Sequence, residues 1–226
     1  MRTVAILPVK SFSRAKRRLG ASIADPLRED LARAMVGDVL AALGETGSIA
    51  RTIVVTREDS VTETARELGA LVVRDTSEES QSAAVALGVA TALAEGFERV
   101  LCIPGDCPAL DPAELDELLD APDAPGVVIV PDRHGSGTNG LLLRPPDVIP
   151  PSFGPDSCER HTALAKQTGA GYRIERPASL LLDIDTGADL TVLRERLSSA
   201  HARAPRTRAV LGLYEPADVL PIARTG

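Results

Sequence analysis

The chain has 226 residues, 44% of them apolar, which suits one large domain with a sizeable core. Lys and Arg number 25 against 32 Asp and Glu, a net charge of −7; aromatics are 2% and Trp is absent. This balance argues against a general nucleic-acid binder, and it leaves an aliphatic core with no platform for stacking single-stranded bases.

Short β-branched runs alternate with helical periods. "TVAILPV" (Thr3–Val9) reads as the first strand. The "DPLREDLARAMVGDVLAALG" segment reads as a helix, with Asp25 as N-cap and Pro26 at its first position. Its apolar stripe is Leu27, Leu31, Met35, Val39 and Leu43, and Gly44 is its stop. "RTIVVT" is the next strand, followed by a helix over about Ser60–Leu68 and a third strand, "LVVRD". A small-residue helix over about Ser80–Ala94 leads to a fourth strand, "RVLCIP", and a short helix that starts at Asp111-Pro112. This order predicts an α/β fold, a mostly parallel sheet covered on both faces with right-handed crossovers.

The pattern then changes. "GVVIVPD" and "GLLLRP" are two strands with a Gly-rich loop and no helix between them, which predicts a later antiparallel part. A helix over about Asp156–Thr168, a strand "YRIERP", the run "LLLDID" and a last helix "TGADLTVLRERL" follow. Beyond His201 the chain is rich in Ala, Arg and Pro and weakly patterned, so at least Leu220–Gly226 is expected to be mobile. No composition break demands a second domain. Cys102, Cys107 and Cys158 lack a C-x-x-C pair, so neither a disulfide framework nor structural zinc is expected. The N-terminal apolar run is too short for a signal peptide core, and no run approaches the ~20 residues needed to cross a bilayer. The expected location is the cytoplasm, with no membrane partner.

In an open parallel sheet, ligands bind beyond the carboxyl ends of the strands. Asp106, in "IPGDCPAL", falls at such an end. So does "KSFSRAKRRL", which carries Lys10, Arg14, Lys16, Arg17 and Arg18 and no acid. Local positive charge there suits polyphosphate, although a solvated basic helix face reads the same way. In "LLLDIDTGADL", Asp183 and Asp185 are two apart and share one side of an extended segment, while Ile184 points the other way. With Asp106 they make an oxygen-only set that suits magnesium. The alternative for Asp185 is a helix cap before Thr186, which leaves Asp183 unexplained.

"HGSGTNG" fits G-x-G-x-x-G literally but runs into a strand, so a dinucleotide fingerprint is rejected. With Ser136, Thr138 and Asn139, the loop can still present N–H groups to a small anion. "FGPDSCERH" puts Asp156 or Ser157 near a helix N-terminus, a second anion position, with His161 about one turn further on, as a structural or a catalytic histidine.

Taken in order, "ILPVKSFSRAKRRL", "IPGDCPAL", "DRHGSGTNGLLL", "FGPDSCERH" and "LLDIDTGADL" resemble the 2-phospho-L-lactate and phosphoenolpyruvate guanylyltransferases of coenzyme F-420 biosynthesis. These are relatives of the molybdenum-cofactor guanylyltransferase type. The resemblance implies a Rossmann-like three-layer nucleotidyltransferase domain of glycosyltransferase-A type over residues 1–200, followed by a C-terminal extension over 201–226. It implies transfer of GMP from GTP to phosphoenolpyruvate or phospholactate with release of pyrophosphate. By the same resemblance, Asp106 and Lys16 would be catalytic, and Lys10, Lys16 and Ser82 would hold the nucleotide. Asp106, Asp183 and Asp185 would hold Mg2+, and Thr138, Gly154 and Ser157 the phospho-acid. In "ESQSAAVALG" the chain departs from the family, with Ser82 where relatives often carry Asn. Transfer to a sugar phosphate or a pterin, and a non-catalytic nucleotide-binding module, are the alternative readings. A homodimer is compatible with the sequence.

Overall fold

The computed structural model describes residues 2–12, 25–121, 125–199 and 203–212. The described residues form seven strands and seven helices, which alternate at first: β1 (Thr3–Val9), α1 (Asp25–Glu45), β2 (Arg51–Thr56), α2 (Asp59–Glu67), β3 (Leu71–Arg74), α3 (Gln81–Ala94), β4 (Arg99–Cys102) and α4 (Pro112–Asp120). Then come β5 (Val127–Pro131), β6 (Thr138–Leu143), α5 (Ser157–Thr168), β7 (Tyr172–Ile174), α6 (Gly187–Leu197) and α7 (Pro205–Val210).

All seven strands lie in one sheet, in the order β3-β2-β1-β4-β6-β5-β7. β1 pairs in parallel with β2 and with β4, and β2 with β3. β6 runs antiparallel between β4 and β5, and β7 returns parallel to β5. The chain therefore winds outward from β1 to β3, then crosses back to place β4 on the other side of β1. That reversal opens a crevice beyond the carboxyl ends of β1 and β4. The antiparallel strand matters for the same reason. Because β6 runs opposite to β4, its amino end, Thr138-Asn139, sits on the edge where β4 ends.

Period-two alternation in the strands sends residues to two cores. Ala5, Leu7, Val54, Leu101, Val128 and Leu142 pack under α1, α2 and α4, whereas Val4, Ile6, Ile53, Val55, Val100 and Leu141 pack under α3 and α5. On the second face α3 comes very close to the sheet. A Cβ at Gly88 would lie 2.5 Å from Ile6 Cγ2, so the lack of a side chain there sets the helix–sheet distance. A third core joins Leu31 and Met35 of α1 to Leu182, Ile184, Leu190, Leu193, Leu197, Ala204 and Leu211.

The structure departs from the sequence reading at the two ends of α1 and after His201. Leu27, at the start of the α1 stripe, is 37% exposed, because the stripe is buried only from Leu31 onward. α1 runs one residue past Gly44. The run "LLLDID" forms no strand; Ile184, read as pointing away from the two acids, is buried in the core with Leu182. The weakly patterned segment after His201 supplies α7, which packs on α1. The two carboxylate oxygens of the buried Asp38 on α1 accept hydrogen bonds from the backbone N–H groups of Arg206 and Thr207, at 3.1 and 2.8 Å. Residues 213–226 lie outside the described residues.

Candidate active site

Asp106 sits on the turn that follows β4, after Ile103 has continued the hydrogen bonding of the strand by donating to Ile6 O. Asp183 and Asp185 come from the loop before α6, held in place by the third core through Leu182 and Ile184. The two loops are tied directly, since Ile184 N donates to Asp106 O at 3.1 Å. One carboxylate oxygen from each of Asp106, Asp183 and Asp185 lies within 4.8 Å of the others. All three residues are half-buried. Three anions so close repel one another. Burial raises the pKa of Asp183, and the charges of Asp106 and then Asp185 raise it further. Such an all-carboxylate set matches the hard oxygen donors that Mg2+ takes.

The surrounding residues orient this cluster. Asn139 Nδ2 donates to Leu180 O at 2.8 Å and to Asp183 Oδ1 at 3.2 Å, so the start of β6 fixes one of the three carboxylates. The cap of α6 is Thr186 and not Asp185. Its hydroxyl accepts from Asp189 N, and Asp189 Oδ2 accepts from Thr186 N in return. Asp185 is thereby released from capping, while its N–H is held by Asp189 Oδ2 at 3.2 Å. Arg133, from the Gly-rich loop, meets Asp189 Oδ1 at 2.5 Å and joins that loop to the loop of Asp185. Sequence spacing does not point to Asn139 or Arg133 in these roles, because each acts across a long chain separation; Asp189, three residues after Thr186, is legible as the second half of a capping box.

Two cavities meet at Asp106. One, of about 530 Å³, is lined by Asp132, Ser136, Thr138, Gly154, Ser157, Asp183 and Asp185 among others. The second is lined by Lys10, Val9 and Phe12 beyond β1 and by Met35 and Val36 of α1. Gln81, Pro104 and Asp106 line both. The chain beyond β1 is pinned by acids. Glu78 Oε1 accepts from Ser11 N and Ser11 Oγ, and Glu58 Oε1 accepts from Phe12 N.

Along the first cavity, the 152–155 loop leads into α5. Gly154 has φ +110°, a left-handed backbone that an L side chain rarely takes. Its carbonyl accepts from Ser157 N. Arg160 encloses this loop, donating to Ser152 Oγ and to the carbonyls of Ser152, Phe153 and Pro155. His161 is 0% exposed, and both its ring nitrogens are in hydrogen bonds.

The structure thus gathers Asp106, Asp183, Asp185, Thr138, Gly154 and Ser157 around one cleft and puts Lys10 at the adjoining one. The Ser82 hydroxyl oxygen accepts from Phe153 N at 2.8 Å, and the neighbouring Gln81 lines both cavities. Lys16, with Arg14, Arg17 and Arg18, lies outside the described residues. Cys102, Cys107 and Cys158 are buried, and burial pushes the Cys102 thiol up to about 12, which removes it from nucleophilic chemistry.

This architecture has solved counterparts. A putative nucleotide-diphospho-sugar transferase from Desulfovibrio desulfuricans G20 superposes with a TM-score of 0.76 at 18% identity, over 94% of this chain and 95% of that one. A nucleotidyl transferase from Methanothermobacter gives 0.63 at 21% identity, over 86% and 96%. The fold is therefore that of the nucleotidyltransferases. At the sequence level, the family model described as guanylyl transferase CofC like matches residues 3–203. The phosphoenolpyruvate guanylyltransferase of Conexibacter woesei is 48% identical over 213 residues, 93% of this chain and 96% of that protein. The 2-phospho-L-lactate guanylyltransferase of Methanothermobacter thermautotrophicus is 33% identical over 203 residues, 90% and 89%. The chain belongs to the CofC-like guanylyl transferase family, and it is a nucleotidyltransferase.

Proposed function

We propose that the protein transfers GMP from GTP to phosphoenolpyruvate and releases pyrophosphate, a step of coenzyme F-420 biosynthesis. The observation that carries this reading is the convergence of Asp106, Asp183 and Asp185 where two cavities adjoin. A group transfer between two phosphate compounds needs two neighbouring sites with charge neutralisation at their junction. The relatives named phosphoenolpyruvate guanylyltransferase support the choice of acceptor.

The nucleotide occupies the cavity beyond β1, with Lys10 on its phosphates. Lys16 belongs with it by the family pattern. Thr138, Gly154 and Ser157 hold the carboxylate and phosphate of the acceptor. Asp106, Asp183 and Asp185 would hold Mg2+, which supplies charge neutralisation for the two polyanions and for departing pyrophosphate. An acceptor phosphate oxygen forms a bond to the α-phosphorus, and the bond from that phosphorus to the bridging α–β oxygen breaks. No side-chain base is required, because the attacking oxygen is ionised at neutral pH. The chain contributes position and charge.

The test is pyrophosphate release from purified protein with Mg2+, comparing GTP with ATP and CTP, and phosphoenolpyruvate with phospholactate and phosphoglycerate. Release that needs GTP and is fastest with phosphoenolpyruvate is the expected result. Turnover with a sugar phosphate, and none with any phospho-acid, would overturn it.

A further inference from the structure

His161 is not among the groups that the reaction itself requires, yet it is fully buried behind Thr138 and its environment leaves it a single protonation state. Nε2 lies 2.9 Å from Ser152 N, a backbone N–H that can only donate. Nε2 must therefore be the bare nitrogen, and the imidazole proton must be on Nδ1. Nδ1 lies 3.1 Å from Thr138 Oγ1, so it donates there and the threonine oxygen accepts. The Phe153 ring, edge-on at 5.1 Å and 72°, packs against the imidazole as well. An imidazolium would set an Nε2–H against the Ser152 N–H. Burial, helped by the charge of Arg160, also keeps the ring neutral, with a pKa pushed down to about 4.

This arrangement has a consequence for the cleft. Thr138 is buried at the start of β6 and lines the cavity proposed for the acceptor. With its oxygen already receiving the Nδ1 proton, its own O–H cannot turn toward the histidine. We propose that His161 is a positioning residue that fixes the Thr138 hydroxyl as a hydrogen-bond donor toward an anionic phospho-acid in the cleft. The opposite tautomer would let Thr138 donate to the histidine and turn its lone pairs toward the anion, a repulsive arrangement. The distinction is strong here because Asp106, Asp132, Asp183 and Asp185 already line the cavity with acceptors. A donor of fixed direction among these acceptors helps an anion to enter. The inference rests on the acceptor reading given above, but the tautomer is a property of the folded chain alone.

The experiment has two arms. In the first, the ¹⁵N spectrum of histidine-labelled protein without substrate is recorded between about pH 6 and 8. The His161 ring is expected to show a protonated Nδ1 and a bare Nε2 throughout; the reverse tautomer, or an imidazolium, overturns the proposal whatever the substrate is. In the second, KM is measured for phosphoenolpyruvate and for GTP in His161→Phe, His161→Asn, Thr138→Val and the double variant His161→Phe/Thr138→Val. His161→Phe keeps the aromatic packing and removes the donor. It is expected to raise KM for phosphoenolpyruvate about tenfold, as for one hydrogen bond to a charged group, with KM for GTP unchanged.

His161→Asn places an amide N–H near the Nδ1 position and should recover most of that loss. In the Thr138→Val background His161→Phe should add nothing. Equal rises in both KM values, full additivity of the two substitutions, or failure of Asn to improve on Phe each overturn the proposal. Should the wild-type protein not use phosphoenolpyruvate at all, the acceptor reading fails and the tautomer arm still decides the state of His161. If His161→Phe does not fold, the Asn variant and the spectrum decide it.

Discussion

At the scale of one residue, Asp183 carries a load on the fold. Burial and the neighbouring Asp106 and Asp185 raise its pKa above 3.8. A carboxyl with a raised folded pKa leaves stability intact below the unfolded value. Stability then falls as pH rises through that value to the folded one, so at neutral pH the ionised group burdens the fold. Asp183→Asn is therefore expected to hold or raise the melting temperature without divalent cation, while turnover falls at least about 100-fold. Titration with Mg2+ should stabilise the wild type and leave the variant nearly unmoved; equal shifts in both would count against a cation at this carboxylate.

His161 has the opposite sign. Its folded pKa, about 4, lies below the ordinary 6.5, so the stability it contributes is complete above 6.5 and disappears as pH falls toward 4. The limit is about 3 kcal/mol. Urea unfolding from about pH 7 to pH 4 should cost the wild type more than His161→Phe, by an amount of that order.

Among the elements, α7 is the one whose role the sequence hid. Its six residues are too short for helical propensity alone to hold them. Asp38 holds its first turn from outside, 4% exposed and accepting two backbone N–H groups. Arg206 Nη1 adds a hydrogen bond to Gly37 O at 3.3 Å. Ala204 and Leu211 close the core that also contains Leu182 and Ile184. The docking of α7 thus supports, through that core, the loop that carries two of the three clustered carboxylates. Asp38→Ala leaves two N–H groups without their acceptor, at a cost of about 2 kcal/mol. Trypsin should cut at Arg206 or Arg208 well before it cuts the rest of the chain, and the melting temperature should fall. A tryptic pattern like that of the wild type would mean that the apolar contacts alone hold α7.

For the whole molecule, the sheet topology is what brings the chemistry together. β1 and β4 end side by side at the point where the winding reverses, so Lys10 and Asp106 reach neighbouring cavities. β6 is antiparallel and delivers Thr138 and Asn139 to the same edge. The loop before α6 supplies the remaining carboxylates, fastened by the bond from Ile184 N to Asp106 O. Because the site is assembled from separate elements and the core does not depend on it, Asp106→Asn should fold with an unchanged circular dichroism spectrum. Pyrophosphate release should nevertheless fall at least about 100-fold, and chelation of divalent cations should abolish it reversibly. Near-normal release in that variant would remove Asp106 from the reaction.

Local signals in the sequence determined the strands and every helix but α7, the covering of both faces of the sheet, and the candidate acids and loop residues. Alternation of period two, helical stripes, caps such as Asp111-Pro112 and left-handed glycines act within a few residues of chain, so they are legible there. Order along the chain, matched to a family, added the roles proposed for Thr138, Gly154 and Ser157. Only the tertiary structure decided which partners orient these groups. Asn139 reaches Asp183 across 44 positions, Arg133 reaches Asp189 from another loop, Asp38 reaches Arg206 across 168, and a backbone N–H at Ser152 selects the tautomer of His161. All but the last join segments far apart in the chain; Ser152 and His161 are nine residues apart, one in a loop and one in the helix that follows it. The distance and direction of these contacts exist only once the sheet has closed, and no periodicity in the sequence records them.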